Sequence, residues 1–355
     1  MNNVRTQLQQ RVKTAIAEKT PLRICAGNSK ECYGNKIKTN HDIDIKPYSG
    51  IIHYEPTELC ITVRAGTRLA ELEAELSKHQ QILPFEPPSF TQNATIGGTV
   101  ATGLSGPRRP YSGAVRDAIL GVTIIDGQGE IVRFGGQVMK NVAGYDVSRL
   151  MTGAQGTLGI LLDISLRLIP KPEHNITYQL PHSQQEALEY FTNTRHSNLP
   201  ITASCHHKLQ TYIRLSGSEK QLDELVKTYD IQTMEDGDDF WRDIRDQQHD
   251  FFQRNDKPLW RISCAPAAPL TQQVDIRTLL EWNGAIRWIT SNMPANIIQN
   301  IAQKANGEAI LFRGHVAGIN TFKKPEPTLF RLHQRLKRQL DPKGIFNPNR
   351  LYEGL

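Results

Sequence analysis

The chain has 355 residues, a length that suits two domains. With 38% hydrophobic and 22% charged residues it can build a packed core, which excludes wholesale disorder. The formal net charge of +6 is spread along the chain, so it suits an anionic ligand or an acidic partner and argues only weakly for nucleic acid, which is not expected as a partner.

The five cysteines, Cys25, Cys32, Cys60, Cys205 and Cys264, are odd in number and show no C-x-x-C pair. A zinc site and a disulfide framework are not expected, and a reducing compartment is. The first twenty residues lack an apolar segment, and no run of about 18 apolar residues occurs anywhere. The sequence therefore predicts a cytoplasmic protein.

In chain order, residues 4–19 place Leu8, Val12, Ala15 and Ile16 at helical spacing. Residues 22–25 read as a strand that runs into the loop Ala26-Gly27-Asn28-Ser29-Lys30, and 51–54 and 59–64 read as strands. Thr67 reads as the N-cap of a helix carrying Leu69, Leu72 and Leu76. Residues 120–125 and 131–134 form a hairpin across the turn Asp126-Gly127-Gln128-Gly129, and Asp146 caps a short helix through Leu150. Of the 26 glycines, 14 lie between Ala94 and Ile160, a density that marks tight turns or a ligand laid against the main chain. A strand-like run at 164–169 stops at Pro170-Lys171-Pro172, where a domain boundary is expected.

Beyond it the pattern is again α+β. Residues 201–205 and 212–215 read as paired strands, and 218–229 as a helix with Leu222, Leu225 and Val226 inward. Residues 240–252 read as one aromatic helix, 260–263 and 285–289 as strands, and 297–305 and 330–340 as helices before a tail. The expected domains are 1–172, 173–335 and a tail at 336–355.

Familiar catalytic and nucleotide motifs are missing from the sequence. It has no G-x-x-x-x-G-K-[ST], no G-x-G-x-x-G after a strand, no G-x-S-x-G and no H-E-x-x-H. Four separated segments remain. The turn Cys25 to Lys30 offers main-chain N–H groups and short polar side chains, which is how a loop cradles a diphosphate. Pro84-Phe85-Glu86-Pro87-Pro88 and then Thr95-Ile96-Gly97-Gly98-Thr99-Val100-Ala101-Thr102-Gly103-Leu104-Ser105-Gly106 offer a surface on which a flat ring can lie. The third segment runs from Lys140 to Ile160 and the fourth is Asp341-Pro342-Lys343-Gly344-Ile345-Phe346-Asn347-Pro348-Asn349-Arg350.

In this order the segments resemble the FAD-binding fold of the vanillyl-alcohol oxidase / p-cresol methylhydroxylase (PCMH) group. Glu86-Pro87-Pro88, Gly106-Pro107-Arg108-Arg109-Pro110, Phe134-Gly135-Gly136, Met139-Lys140-Asn141-Val142-Ala143-Gly144-Tyr145-Asp146, Leu259-Trp260-Arg261-Ile262-Ser263 and the tail resemble, more narrowly, the FAD-binding subunits of bacterial glycolate oxidases. The resemblance implies an α+β chain: a PCMH-type FAD-binding domain of two subdomains, then a smaller α+β cap domain. It implies FAD held by Ala26, Gly27, Asn28, Ser29, Lys30, Pro84, Thr95, Gly97, Gly98, Ala101, Thr102, Gly106, Gly156, Ile160 and Asn347. Cys25 stands where the family's diphosphate loop has Arg, Ala26 replaces a Gly, and Gly103-Leu104-Ser105 departs from the usual Asn-Ala-Gly. With no His in that loop, the implied FAD is non-covalent.

The 2-hydroxy-acid dehydrogenases of the group carry a pair of metal-binding His residues and a Glu-His dipeptide. This sequence keeps only Gly314-His315-Val316-Ala317-Gly318 as a remnant, so no metal site and no catalytic residue are assigned. The implied function is the FAD-binding subunit of a glycolate oxidase (dehydrogenase) complex. A glycolate-type 2-hydroxy acid is its substrate, and a paralogous flavin subunit and an iron–sulfur subunit are its partners. Peripheral membrane association through the complex is left open. The alternatives are a self-sufficient 2-hydroxy-acid oxidase using Arg109, Arg287 or Arg313 for the substrate carboxylate, and a reductase of the UDP-N-acetylenolpyruvylglucosamine type.

Bland readings stand beside these. Cys25 reads as a small strand residue, and His206-His207 as neighbours on opposite strand faces, unable to share an ion. Phe240, Trp241, Phe251 and Phe252 read as core or as an apolar patch for a partner chain. Lys323-Lys324 and Lys337-Arg338 read as solvated charges.

Overall fold

The computed structural model describes residues 2–137, 147–194, 197–253, 256–268 and 277–355. The motif expected at 139–146 lies outside them, Asp146 included. The chain divides into two compact units, one of residues 1–105, 113–171 and 320–355, the other of 106–112 and 172–319. One division falls between Lys171 and Pro172, another sets residues 106–112 apart from their neighbours in sequence, and residues 320–355 belong to the first unit.

In the first unit the helix Asn2–Glu18 buries Leu8, Val12 and Ala15 against the core. Arg23–Cys25 pairs in parallel with Asp42–Asp44. A five-stranded antiparallel sheet runs in the order Ile51–Glu55, Cys60–Arg64, Ile160–Arg167, Ile119–Ile125, Ile131–Gly135. Its central strand, Ile160–Arg167, is buried on both faces at six of eight positions, which explains its nearly continuous apolar run. The helix Leu69–Lys78 covers the core with Leu69, Leu72 and Leu76. Thr67 does not cap it. Arg68 stands at the N-cap with no side-chain cap bond. The Thr67 hydroxyl closes the preceding turn, accepting from Gly50 N–H at 2.9 Å and donating to Arg64 O at 2.7 Å.

The second unit is built on a seven-stranded antiparallel sheet. Its order is His174–Pro181, Gln210–Gly217, Ile201–His207, Arg277–Glu281, Ile286–Thr290, Leu259–Ser263, Glu308–Arg313. The expected aromatic helix at 240–252 is two helices, Gly237–Arg245 and Asp250–Gln253, separated where Gln247 takes φ 57°. Phe240, Trp241, Phe251 and Phe252 are all buried, so this run is core and gives no apolar patch to a partner chain. Trp241 Nε1–H donates to Thr177 Oγ1 at 2.9 Å, tying the helix to the first strand of the sheet. In the helix Glu219–Tyr229 only Leu222 is fully buried; Leu225 and Val226 are half-buried.

His206 and His207 are both buried in the strand Ile201–His207. His206 Nδ1 is 3.1 Å from Thr211 Oγ1, and His207 Nδ1 is 3.3 Å from Thr278 O. Burial pulls each imidazole down to about 4. Glu281, on the neighbouring strand, accepts from Trp288 Nε1–H at 2.5 Å, and burial pushes its carboxyl up to about 7. Between the ordinary carboxyl and imidazole values of 4.5 and 6.5 the unfolded chain protonates both imidazoles, whereas the folded unit alone keeps the Glu281 proton. For these three groups the unfolded chain holds one proton more. Stability therefore falls on acidification across this window by about 1.4 kcal/mol per pH unit. All four tryptophans, Trp241, Trp260, Trp282 and Trp288, lie in this unit, so their fluorescence follows it alone. The urea midpoint read by tryptophan emission should drop from pH 6.5 to 4.5. Glu281→Gln removes the opposing proton and should steepen that drop; an unchanged or shallower pH dependence in the variant would contradict the assignment.

Candidate functional site

Four loops of the first unit are joined by specific bonds. The segment expected as a flat glycine surface is in part a seven-residue helix, Ile96–Thr102. Thr95 Oγ1 caps it by accepting from Gly98 N–H at 3.2 Å, and Gly103, at φ 66°, ends it. Gly97 lies where this helix rests directly on the main chain. Its N–H donates to Ala65 O at 2.8 Å, and a Cβ there would stand 2.7 Å from the same oxygen. The helix end meets the turn at 152–156 through Gly153 N–H to Val100 O, 3.0 Å, and Gln155 N–H to Ala101 O, 2.9 Å.

That turn meets the tail. Asn347 Nδ2–H donates to Gln155 O at 2.7 Å, while Asn347 Oδ1 accepts from Ile24 N–H at 2.7 Å. Ile24 leads into the loop Ala26 to Lys30, where a Cβ on Gly27 would collide with the Asn93 carbonyl. Asn28 takes φ 52°, a conformation asparagine tolerates better than most residues. Lys30 is buried, its Nζ 3.4 Å from Ser29 Oγ and 5.5 Å from the centre of the Phe90 ring.

The structure thus brings together Ala26, Gly27, Asn28, Ser29, Thr95, Gly97, Gly98, Ala101, Thr102, Gly156 and Asn347 on connected segments. Gly156, at φ 70°, packs against Asn347 so closely that a Cβ would stand 2.6 Å from its Nδ2. Pro84 is buried in the segment before the helix. Ile160 has a fully buried side chain in the central strand, so only its main chain is available to a ligand. Gly106 belongs to the second unit, where its carbonyl accepts from Trp282 Nε1–H at 3.0 Å. Sequence reasoning missed Gln155, which is buried at φ 54° with Nε2 lacking a partner among the described residues, and Asn93. The dense glycines on either side of Gln155 were the available signal. Lys337, read as a solvated charge, is in fact buried.

The side chains nominated elsewhere for chemistry are engaged inside the fold. Arg287 is buried and donates to Ala268 O at 2.6 Å; Arg313 donates to Phe252 O at 3.3 Å and to Gln247 Oε1. Arg109 lies over the Trp282 ring at 4.6 Å. Cys25 Sγ is 3.7 Å from Ile43 O, and burial pushes its thiol up, away from the reactive thiolate.

Residues 4–135 match the family described as FAD binding domain. Over 351 residues, 98% of this chain and 97% of the relative, the sequence is 43% identical to glycolate oxidase subunit GlcE of Escherichia coli (strain K12). The chain belongs to the GlcE family. Glycolate oxidase subunit GlcD of Bacillus subtilis (strain 168) is 34% identical over 165 residues, 46% of this chain and 35% of that protein. D-lactate dehydrogenase of Anaerostipes hadrus is 32% identical over 144 residues, 41% of this chain and 30% of that protein. Among solved structures, p-cresol methylhydroxylase aligns over 97% of this chain and 86% of its own, at TM-score 0.73 and 16% identity. Alkyldihydroxyacetonephosphate synthase aligns over 97% of this chain and 74% of its own, at TM-score 0.66 and 16% identity. These structures establish the fold: an α+β chain with a PCMH-type FAD-binding domain.

The residues fit FAD on two observations. Among the described residues, the main-chain N–H groups of Ala26, Gly27, Asn28 and Ser29 donate to no protein acceptor, as a diphosphate cradle requires. A Cβ at Gly98 would meet only Thr95 Oγ1, at 3.3 Å, and at Gly153 nothing within 4 Å. A side chain at Gly98 would therefore disturb little of the described protein. Gly98→Leu should fold yet purify without yellow colour, and should lose the added thermal stability that bound flavin confers, about 2.7 kcal/mol at 100 times the Kd. An absorbance spectrum and a thermal melt check this; a variant carrying a full complement of flavin would refute the placement.

Proposed function

We propose that this chain is the FAD-binding subunit of a glycolate oxidase (dehydrogenase) complex that converts glycolate or a related 2-hydroxy acid to the 2-oxo acid. One observation carries the reading. The 43% identity to subunit GlcE spans 98% of the chain and so includes the second unit, whereas the GlcD and D-lactate dehydrogenase relatives share less than half of it. The first unit is the FAD domain, closed by the tail, and the second is the cap.

Bound FAD would supply a two-electron acceptor. The loop Ala26 to Lys30 would hold the diphosphate by main-chain N–H groups, with Lys30 adding positive charge where the family's Arg is replaced by Cys25. Thr95, Gly97, Gly98, Ala101 and Thr102 would face the flavin, with Pro84 and Gly106 in the segments flanking them. The Gly156–Ile160 main chain would face the adenosine side, and Asn347 would lock the tail onto both. Attachment is non-covalent: the loop holds no His, and the Cys25 thiol is turned toward Ile43 O with its ionisation suppressed by burial. Acid precipitation should leave a colourless pellet and carry the flavin into the supernatant. Flavin fluorescence retained by the washed pellet would contradict this.

A paralogous flavin subunit and an iron–sulfur subunit complete the complex, and electrons pass through the latter. The self-sufficient alternative needs an arginine for the substrate carboxylate and a base within reach of the substrate hydroxyl. Arg287 and Arg313 already serve internal carbonyls, and the two-His motif of the dehydrogenase branch is absent from the sequence. Among the described residues no helix is long and apolar enough to cross a membrane, so any membrane contact would be peripheral and through the complex. The purified chain alone should bind FAD and reduce no artificial dye with glycolate or D-lactate; adding both partner subunits should restore dye reduction. Turnover by the lone chain equal to that of the mixture would promote the self-sufficient oxidase instead.

A further inference from the structure

Lys337 lies on the helix Pro327–Leu340, and its ammonium group is buried against three oxygens. It donates to Thr157 O at 2.6 Å, to Phe346 O at 2.8 Å and to Asp341 Oδ2 at 2.6 Å. An ammonium has three donors, and all three are used. Asp341 is buried in turn, its Oδ1 accepting from Ile345 N–H at 3.1 Å and its Oδ2 from Phe346 N–H at 2.8 Å. The pair therefore grips both the turn after Gly156 and the two residues before Asn347. From there the tail runs alongside Leu22, with Leu22 N–H to Ile345 O at 2.7 Å and Asn347 N–H to Leu22 O at 3.1 Å. Asn347 then reaches Ile24 and Gln155.

A buried ion pair is a poor way to gain stability, because desolvation takes back most of the attraction. What the charges supply here is location. Three directional bonds hold the tail on the Lys337–Asp341 pair, a fourth joins the pair itself, and a fifth, to Thr157 O, fixes the pair on the turn, where an apolar contact would let it slide.

We propose that Lys337 and Asp341 are a positioning pair for the flavin site, setting the tail so that Asn347 joins the diphosphate loop to the 153–158 turn, and that FAD affinity depends on them although neither lies in the loops that would hold FAD. The inference rests on the flavin reading given above.

The test measures the Kd of added FAD on the full chain by flavin fluorescence. Lys337→Met/Asp341→Asn removes both charges and leaves no unpaired ion. It should weaken FAD at least tenfold, as should Asn347→Ala. Combining all three substitutions should weaken binding no more than twofold beyond the weaker of these, since they act along one chain of contacts. Leu76→Ala, a cavity in the core beneath the helix Leu69–Lys78, serves as the stability control. It should melt lower yet keep its FAD Kd within twofold of wild type, which separates positioning from general loss of stability. If the double variant does not fold, Asp341→Glu keeps the charge, shifts the carboxylate by one methylene and is held to the same tenfold mark. A charge-free or Asp341→Glu variant that binds FAD within twofold of wild type, or effects that multiply in the combined variant, would overturn the inference alone. A wild-type chain that takes up no FAD would overturn the flavin reading and this inference with it.

Discussion

One carboxamide ties the first unit together. Asn347 accepts from Ile24 and donates to Gln155, so a single side chain joins three segments that are far apart in sequence. An amide is suited to this because its oxygen accepts while its nitrogen donates. An aspartate would face the Gln155 carbonyl with no proton to give, and a leucine would leave the half-buried Ile24 N–H and the buried Gln155 carbonyl unpaired, at about 1–3 kcal/mol for the buried group. The other contacts around the candidate site follow from this joint. Gly156 must be glycine because Asn347 occupies the space a Cβ would need, and Ile24 sets the direction in which the loop Ala26 to Lys30 departs.

The elements that could be read from the sequence are those whose side chains carry a clear period. Leu69, Leu72 and Leu76 fall on one face of a helix, and residues 119–125 and 131–135 pair across an Asp-Gly-Gln-Gly turn. The strands His174–Pro181, Arg277–Glu281 and Glu308–Arg313 were not anticipated. His174–Pro181 is exposed at both ends and buries only Thr177 and Tyr178, so its sequence shows no strict alternation. The aromatic stretch at 240–252 misled for a different reason. Its hydrophobic spacing is helical throughout, and what breaks it is the backbone at Gln247, for which a glutamine gives no signal.

The candidate site was legible where it is made of glycine and largely hidden where it is made of long-range bonds. Gly97, Gly98 and Gly156 announce close approach because nothing else fits. The helix built around Gly97 and Gly98 did not announce itself, because two adjacent glycines weaken a helix by about 1 kcal/mol each and read as loop. Its cap at Thr95 and its seat on Ala65 make up the difference. Lys337 was hidden more thoroughly. In sequence it stands beside Arg338 in a basic helix, and only the returning tail turns it inward.

The second unit shows the same physics with the opposite result. Buried polar side chains are costly unless paired, and several here find a partner within the unit. Glu281 has Trp288, Arg287 has the Ala268 carbonyl, and His206 and His207 each engage one ring nitrogen with a neighbouring strand residue. These are the residue types that a search for catalytic groups would nominate, and the fold uses them to hold strands in register. In the first unit, among the described residues, the unengaged groups near the candidate site include the main-chain N–H groups of residues 26–29, Gln155 Nε2 and the open position at Gly98, which offer shape and hydrogen bonds. Groups arranged in this way are suited to holding a cofactor that carries the chemistry.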